Sequence, residues 1–93
     1  MNISDINQEP PKIEFPCAYP IKVLGFANTT FQAEVLAVIH RYASSVPAGK
    51  VTERASAKGN YVSVTVIIEA TGEDQIKNIF EDLMEQENVK LVL

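Results

Sequence analysis

The chain has 93 residues, 46% hydrophobic and 22% charged, with a net charge of −4. A chain of this length buries roughly 60–65% of its unfolded surface, enough for one modest core and too little for a second domain. No run approaches the roughly 18 apolar residues of a membrane span, and the start, Met1-Asn2-Ile3-Ser4-Asp5, lacks the basic and apolar regions of a signal peptide. The expected location is therefore cytoplasmic.

Residues 1–14 are polar, carry Pro10-Pro11 and show no periodicity, so a flexible N-terminal tail is expected there, with a single domain over 15–93. Pro20 lacks a ladder donor and is expected at a strand's start rather than inside a central strand, with Ile21 to Phe26 as the first strand. Asn28-Thr29-Thr30 supplies N-cap oxygens. Phe31, Val35, Val38, Ile39 and Tyr42 then form one helical stripe, predicting a helix from Thr29 to Ala43 that the Ser44 to Gly49 stretch stops.

Lys50 to Ala57 reads as a polar strand, followed by a turn at Lys58-Gly59-Asn60 in which Gly59, and Asn60 after it, supply positive φ. Tyr61 to Ala70 alternates with period two and is rich in β-branched residues, the clearest strand in the chain. Thr71 is the expected cap of a second helix, whose first turn holds Glu73 and Asp74 where negative charge suits the dipole. Ile76, Ile79, Phe80 and Leu83 form its apolar stripe, with Phe80 expected at the centre of the core facing Val64 and Val66. Val89 to Leu93 is a last short strand.

The order β-α-β-β-α-β predicts an α+β fold, the ferredoxin-like plait: a four-stranded antiparallel sheet with both helices on one face. Right-handed crossovers place the first and third strands in the centre. Three stretches then resemble a known family: Phe15-Pro16; Lys22-Val23-Leu24-Gly25; and Ser56-Ala57-Lys58-Gly59-Asn60-Tyr61-Val62-Ser63-Val64-Thr65. They are similar to the small bacterial proteins typified by YbeD, over Phe15 to Leu93. The resemblance implies an α/β plait like the regulatory ACT-type domains attached to amino-acid enzymes. The first loop, Gly25-Phe26-Ala27-Asn28, offers one glycine where ACT domains use a glycine-rich loop for amino acids.

The residues argue against catalysis and against a cofactor. His40 is the only histidine and Cys17 the only cysteine, so neither a metal-ligand set nor a nucleophile with its base is available. The acids between Glu73 and Glu87 read as the wet face of a helix rather than a pair across a cleft. Two surfaces remain. One is the turn, where Arg54, Lys58, Gly59, Asn60 and Tyr61 are candidates for an anion or partner site; Arg54 and Lys58, four apart on a strand, are expected on one face about 13 Å apart. The other is the helix-free sheet face, with Lys22, Leu24, Phe26, Ile67 and Val92 as candidates.

The reading that follows is a non-enzymatic interaction or regulatory module, covered by another protein or by a second copy as a homodimer. Two alternatives stand beside it. One is a sensor binding an amino-acid-like small-molecule effector at a dimer interface. The other is an RNA-binding plait, against which the acidic net charge and the absence of a basic-aromatic consensus both count.

Overall fold

The structure is a computed structural model that describes residues 14–43 and 50–93. The expected tail lies outside these residues but for Glu14, and so does the helix stop at 44–49. The described elements run β1 (Cys17–Phe26), α1 (Phe31–Ile39), β2 (Val51–Ala55), β3 (Tyr61–Ala70), α2 (Glu73–Met84) and β4 (Val89–Val92). The strands form one antiparallel sheet in the order β2-β3-β1-β4, the ferredoxin-like plait with β1 and β3 at its centre.

Strand β1 begins at Cys17, four residues before the expected start, and pairs with β3 over its whole length, Cys17 with Ala70 through Phe26 with Tyr61. Pro20 therefore sits inside a central strand, contrary to expectation. The ladder explains why it is tolerated. Lys22 exchanges backbone hydrogen bonds with Leu93 at 3.1 and 2.8 Å, so its polar groups face the β4 side. With a period of two, the Pro20 nitrogen points the same way, past Leu93, where no described strand lies. There β1 is an edge strand, and an edge accepts proline.

The core lies between the sheet and the helices. Ile21 and Val23 of β1 and Val62, Val64, Val66 and Ile68 of β3 point inward, meeting Phe31, Val35, Val38 and Ile39 of α1 and Ile79 and Leu83 of α2. Phe80 does not occupy the expected central place. Ile79 and Leu83 are fully buried, whereas Phe80, one 100° step beyond Ile79, is half-buried in a rim groove with Tyr19 and Ile76.

Both helix starts depart from the expected capping. At α1, Asn28 Oδ1 accepts from the Thr30 backbone N–H at 2.8 Å and from Thr30 Oγ1 at 2.9 Å. At α2, Gly72 rather than Thr71 is the N-cap, and Gln75 Oε1 accepts from the Thr71 N–H at 2.7 Å. Two side-chain ties lock the layers. Glu34 accepts from Thr30 Oγ1 at 2.7 Å and Asn88 Nδ2 at 3.2 Å, and these bonds hold its carboxyl below the usual carboxylate range. Tyr42 donates its hydroxyl to Asp82, which also pairs with Arg41 at 3.3 Å. The bond to Asp82, with burial second, raises the Tyr42 phenol above its ordinary value.

Candidate functional site

Both helices pack on one side of the sheet, so alternation sends every second strand residue to a face that no described element covers. The register arranges that face in rows. Thr52, Thr65 and Lys22 lie side by side. The next row is Arg54, Ser63, Leu24 and Leu91, and the last brings Tyr61 against Phe26. Ile67 pairs with Pro20 and Glu69 with Ala18 toward the opposite end.

Four sheet-face candidates, Lys22, Leu24, Phe26 and Ile67, occupy this face. Val92 does not. It pairs with Val23, a core residue, and packs against the core from the helix side. Its place on the open face is taken by Leu91, which is 44% exposed. The cause is a register irregularity between Leu24 and Gly25, where β4 skips a residue. A bulge reverses the parity that alternation alone supplies, and a five-residue apolar strand with one lysine gives no hint of where the slip falls.

The same irregularity brings in Lys90. Its Nζ lies 5.9 Å from the Phe26 ring centroid and 5.5 Å from that of Tyr61. The two rings are 5.6 Å apart and tilted by 33°. Such cation–π contacts hold the ammonium over the ring faces, making one corner of the sheet an aromatic pair topped by a positive charge.

The turn candidates separate. Tyr61 belongs to that corner. Arg54 points to the open face beside Ser63, whose Oγ lies 3.5 Å from the Arg54 carbonyl. Strand β2 ends at Ala55, so Lys58 is not on it, and the expected common face of Arg54 and Lys58 is not formed. Gly59 has φ of 74°, and its N–H donates to the Ser56 carbonyl at 3.0 Å. Asn60 has no positive φ; its carbonyl accepts from the Ala27 N–H at 3.0 Å, tying the turn to the end of β1. Ser56 Oγ accepts from the Tyr61 N–H at 3.1 Å. Gly59 and Asn60 thus have structural duties, and Ser56 closes the turn.

Lys22, Thr52, Glu53, Arg54, Ser63 and Thr65 line a depression of about 330 Å³ on the open face. Glu53 pairs with Val64, so alternation turns its side chain toward the helix side. A larger concavity of about 670 Å³ lies at the far end of β1 and β3, lined by Cys17, Tyr42, Ile67, Glu69 and Gln75 among others. There Gln75 Nε2 donates to the Tyr42 carbonyl at 3.0 Å.

His40 is exposed at the end of α1, and Cys17 is half-buried at the start of β1. Among the described residues no three His, Cys, Asp or Glu side chains gather as metal ligands, and no helix is long and apolar enough to cross a membrane. Gly25, the single glycine of the first loop, is buried. A Cβ there would collide with the Phe31 ring and the Asn88 carbonyl, so this glycine serves close packing.

Residues 10–93 match a family described as "Protein of unknown function (DUF493)". A protein of Ectopseudomonas mendocina, called a UPF0250 protein, is 44% identical over 92 residues, covering 98% of this chain and all of its own. A UPF0250 protein of Neisseria gonorrhoeae is 41% identical over 81 residues, 87% of this chain and 89% of its own. Among solved structures, protein HP0495 of H. pylori superposes with a TM-score of 0.73 at 19% identity, covering 94% of this chain and 91% of that one. The ACT domain from GTP pyrophosphokinase of Chlorobium tepidum gives 0.61 at 17% identity, covering 82% and 92%. The chain belongs to the DUF493 family, the YbeD-like UPF0250 proteins, and its fold is ACT-like.

Proposed function

We propose that this member of the DUF493 family is a non-catalytic regulatory domain that docks a partner protein on the open face of its sheet. The partner presents an apolar contact flanked by carboxylates. The observation that carries this reading is the composition of the face. Leu24, Phe26 and Leu91 form an apolar patch, with Phe26 and Leu91 each almost half exposed. Lys22, Arg54 and Lys90 surround it, and Glu69, some four residues along β3 from the nearest of these rows, is the one acid of the described strands turned to this side.

A positive, apolar face on a chain of net charge −4 favours an acidic partner. It disfavours a second copy, because a twofold contact meets itself and would bring Lys22, Arg54 and Lys90 toward their own counterparts. The ACT-like shape supports the regulatory part of the reading, since the Chlorobium ACT domain comes from an enzyme chain. An amino-acid sensor built on the first loop has less support, because Gly25 is taken up by Phe31 and Asn88.

The test is co-purification of the intact chain at low and high salt, with two variants. The reading expects one stoichiometric partner with a carboxylate-rich contact surface. It should be released as salt screens the face over about 8–10 Å, lost with Leu91→Asp plus Lys90→Glu, and kept with Asn78→Asp on the opposite helix layer. Equal retention by both variants would overturn the reading.

A further inference from the structure

The depression on the open face has a composition that docking alone does not require. Three hydroxyl residues, Thr52, Thr65 and Ser63, line it together with one cation from each flanking strand, Lys22 from β1 and Arg54 from β2. We propose that these five residues form a binding site for the phosphoryl group of a small phosphomonoester. This inference shares Lys22 and Arg54 with the docking face but does not require a docked partner.

Register places the two cations. Lys22 neighbours Thr65 and Arg54 neighbours Ser63, one row further along. Two strand spacings and a two-residue offset put the Lys22 and Arg54 backbones roughly 12 Å apart. Both residues line the same hollow, within the reach of their long side chains. This pair replaces the Arg54–Lys58 pair that sequence spacing predicts.

Charge and hydrogen bonding then select the ligand. Among the described residues neither cation has a carboxylate within 4 Å, and the ion pair is Arg41–Asp82, on the helix layer. Glu53 contributes to the lining, but its pairing with Val64 puts it on the parity that faces the helix side, and Glu69 lies about 13 Å along β3 from Thr65. Two uncompensated cations suit a dianion, and a phosphomonoester carries about −1.5 to −2 at neutral pH, with three acceptor oxygens. Those oxygens match the Thr52 and Thr65 hydroxyls and an arginine fork, with the Ser63 hydroxyl joining them on leaving its long, 3.5 Å bond to the Arg54 carbonyl. A carboxylate offers one charge and two oxygens and leaves donors unused. A hollow of about 330 Å³ is at the small end of ligand sites, which fits a phosphoryl group on a few carbons and excludes a dinucleotide.

The experiment is amide NMR of the intact chain at constant ionic strength, titrated separately with inorganic phosphate, O-phosphoserine and acetate. The proposal expects saturable shifts centred on Lys22, Thr52, Arg54, Ser63 and Thr65 with both phosphates and none with acetate. Tighter saturation by O-phosphoserine than by inorganic phosphate supports an esterified ligand, and tighter saturation by inorganic phosphate overturns the phosphomonoester assignment in favour of the free ion. Thr65→Val, which keeps the strand shape, should weaken binding about threefold, and Lys22→Gln with Arg54→Gln at least tenfold. The same spectra report whether each variant is folded. Shifts that grow linearly without saturating, that centre elsewhere, that acetate reproduces, or that survive in the folded double variant overturn the proposal. A phosphate site on a protein that recruits no partner would refute the docking reading and leave this one intact.

Discussion

The two faces of one sheet obey different rules. On β1 and β3, the residues that point toward the helices at the centre of the sheet include Ile21, Val23, Val62, Val64, Val66 and Ile68, all buried. Their immediate neighbours, pointing away, are Lys22, Leu24, Tyr61, Ser63, Thr65 and Ile67, a mixture of charge, hydroxyl and apolar groups. The backbone is shared, so strand propensity does not account for the difference. The covered side is filled with aliphatic groups because close packing stabilises the fold there. The open side contributes little to stability and is free to carry recognition. Under the proposed docking, stability and recognition separate by parity along the same two strands.

The strongest challenge to that division acts on the covered side. Leu83→Ala should cost about 2–5 kcal/mol by leaving a cavity, a large part of the roughly 5–15 kcal/mol that holds a small domain. Gly25→Ala should cost about 1–3 kcal/mol by overpacking against Phe31 and the Asn88 carbonyl. Urea titration reads both. A loss below about 0.5 kcal/mol at either site, the range of neutral surface changes, would show that the core is not where the packing places it. Phe80→Ala should fall between the faces at about 1–2 kcal/mol, because its ring is only half-buried.

How far these faces are legible in the sequence depends on what each strand offers. Strand β3 reads correctly from end to end because Val62, Val64, Val66 and Ile68 are β-branched and strictly alternate. The front half of β1 is hidden because Pro20 argues against a central strand, and only the short reach of β4 explains its presence. Leu91 and Val92 exchange places because a bulge carries no residue signature here. The hollow was out of reach for a different reason. Lys22, Thr52 and Arg54 come from strands far apart in the chain, and only register joins them.

Smaller effects sharpen the contrast through pH. Glu34 has a lowered pKa in the folded state, so its contribution is present above the ordinary carboxylate range and is lost as pH falls through the folded value. Tyr42 is raised, so its contribution is present below about pH 10 and lost as pH climbs through the folded value. Urea midpoints should therefore fall less steeply between about pH 5 and 3 in Glu34→Gln than in the parent chain. Parallel curves would remove Glu34 from the account. On the open face, Leu91→Ser and Thr65→Val should each change stability by no more than about 0.5 kcal/mol. A loss above about 1.5 kcal/mol at either would mean that this face also holds the fold together.

The central claim, that recognition resides on the helix-free side, is tested most directly by photo-crosslinking in living cells. A photoreactive residue is placed in turn at Leu91, at Phe26 and, as the control on α2, at Asn78. Leu91 and Phe26 should join the same single partner and Asn78 none, and charge reversal at Lys22 and Arg54 should remove the adduct while the chain stays folded. Adducts from Asn78 with none from Leu91 and Phe26 would contradict the claim and move recognition to the helix layer.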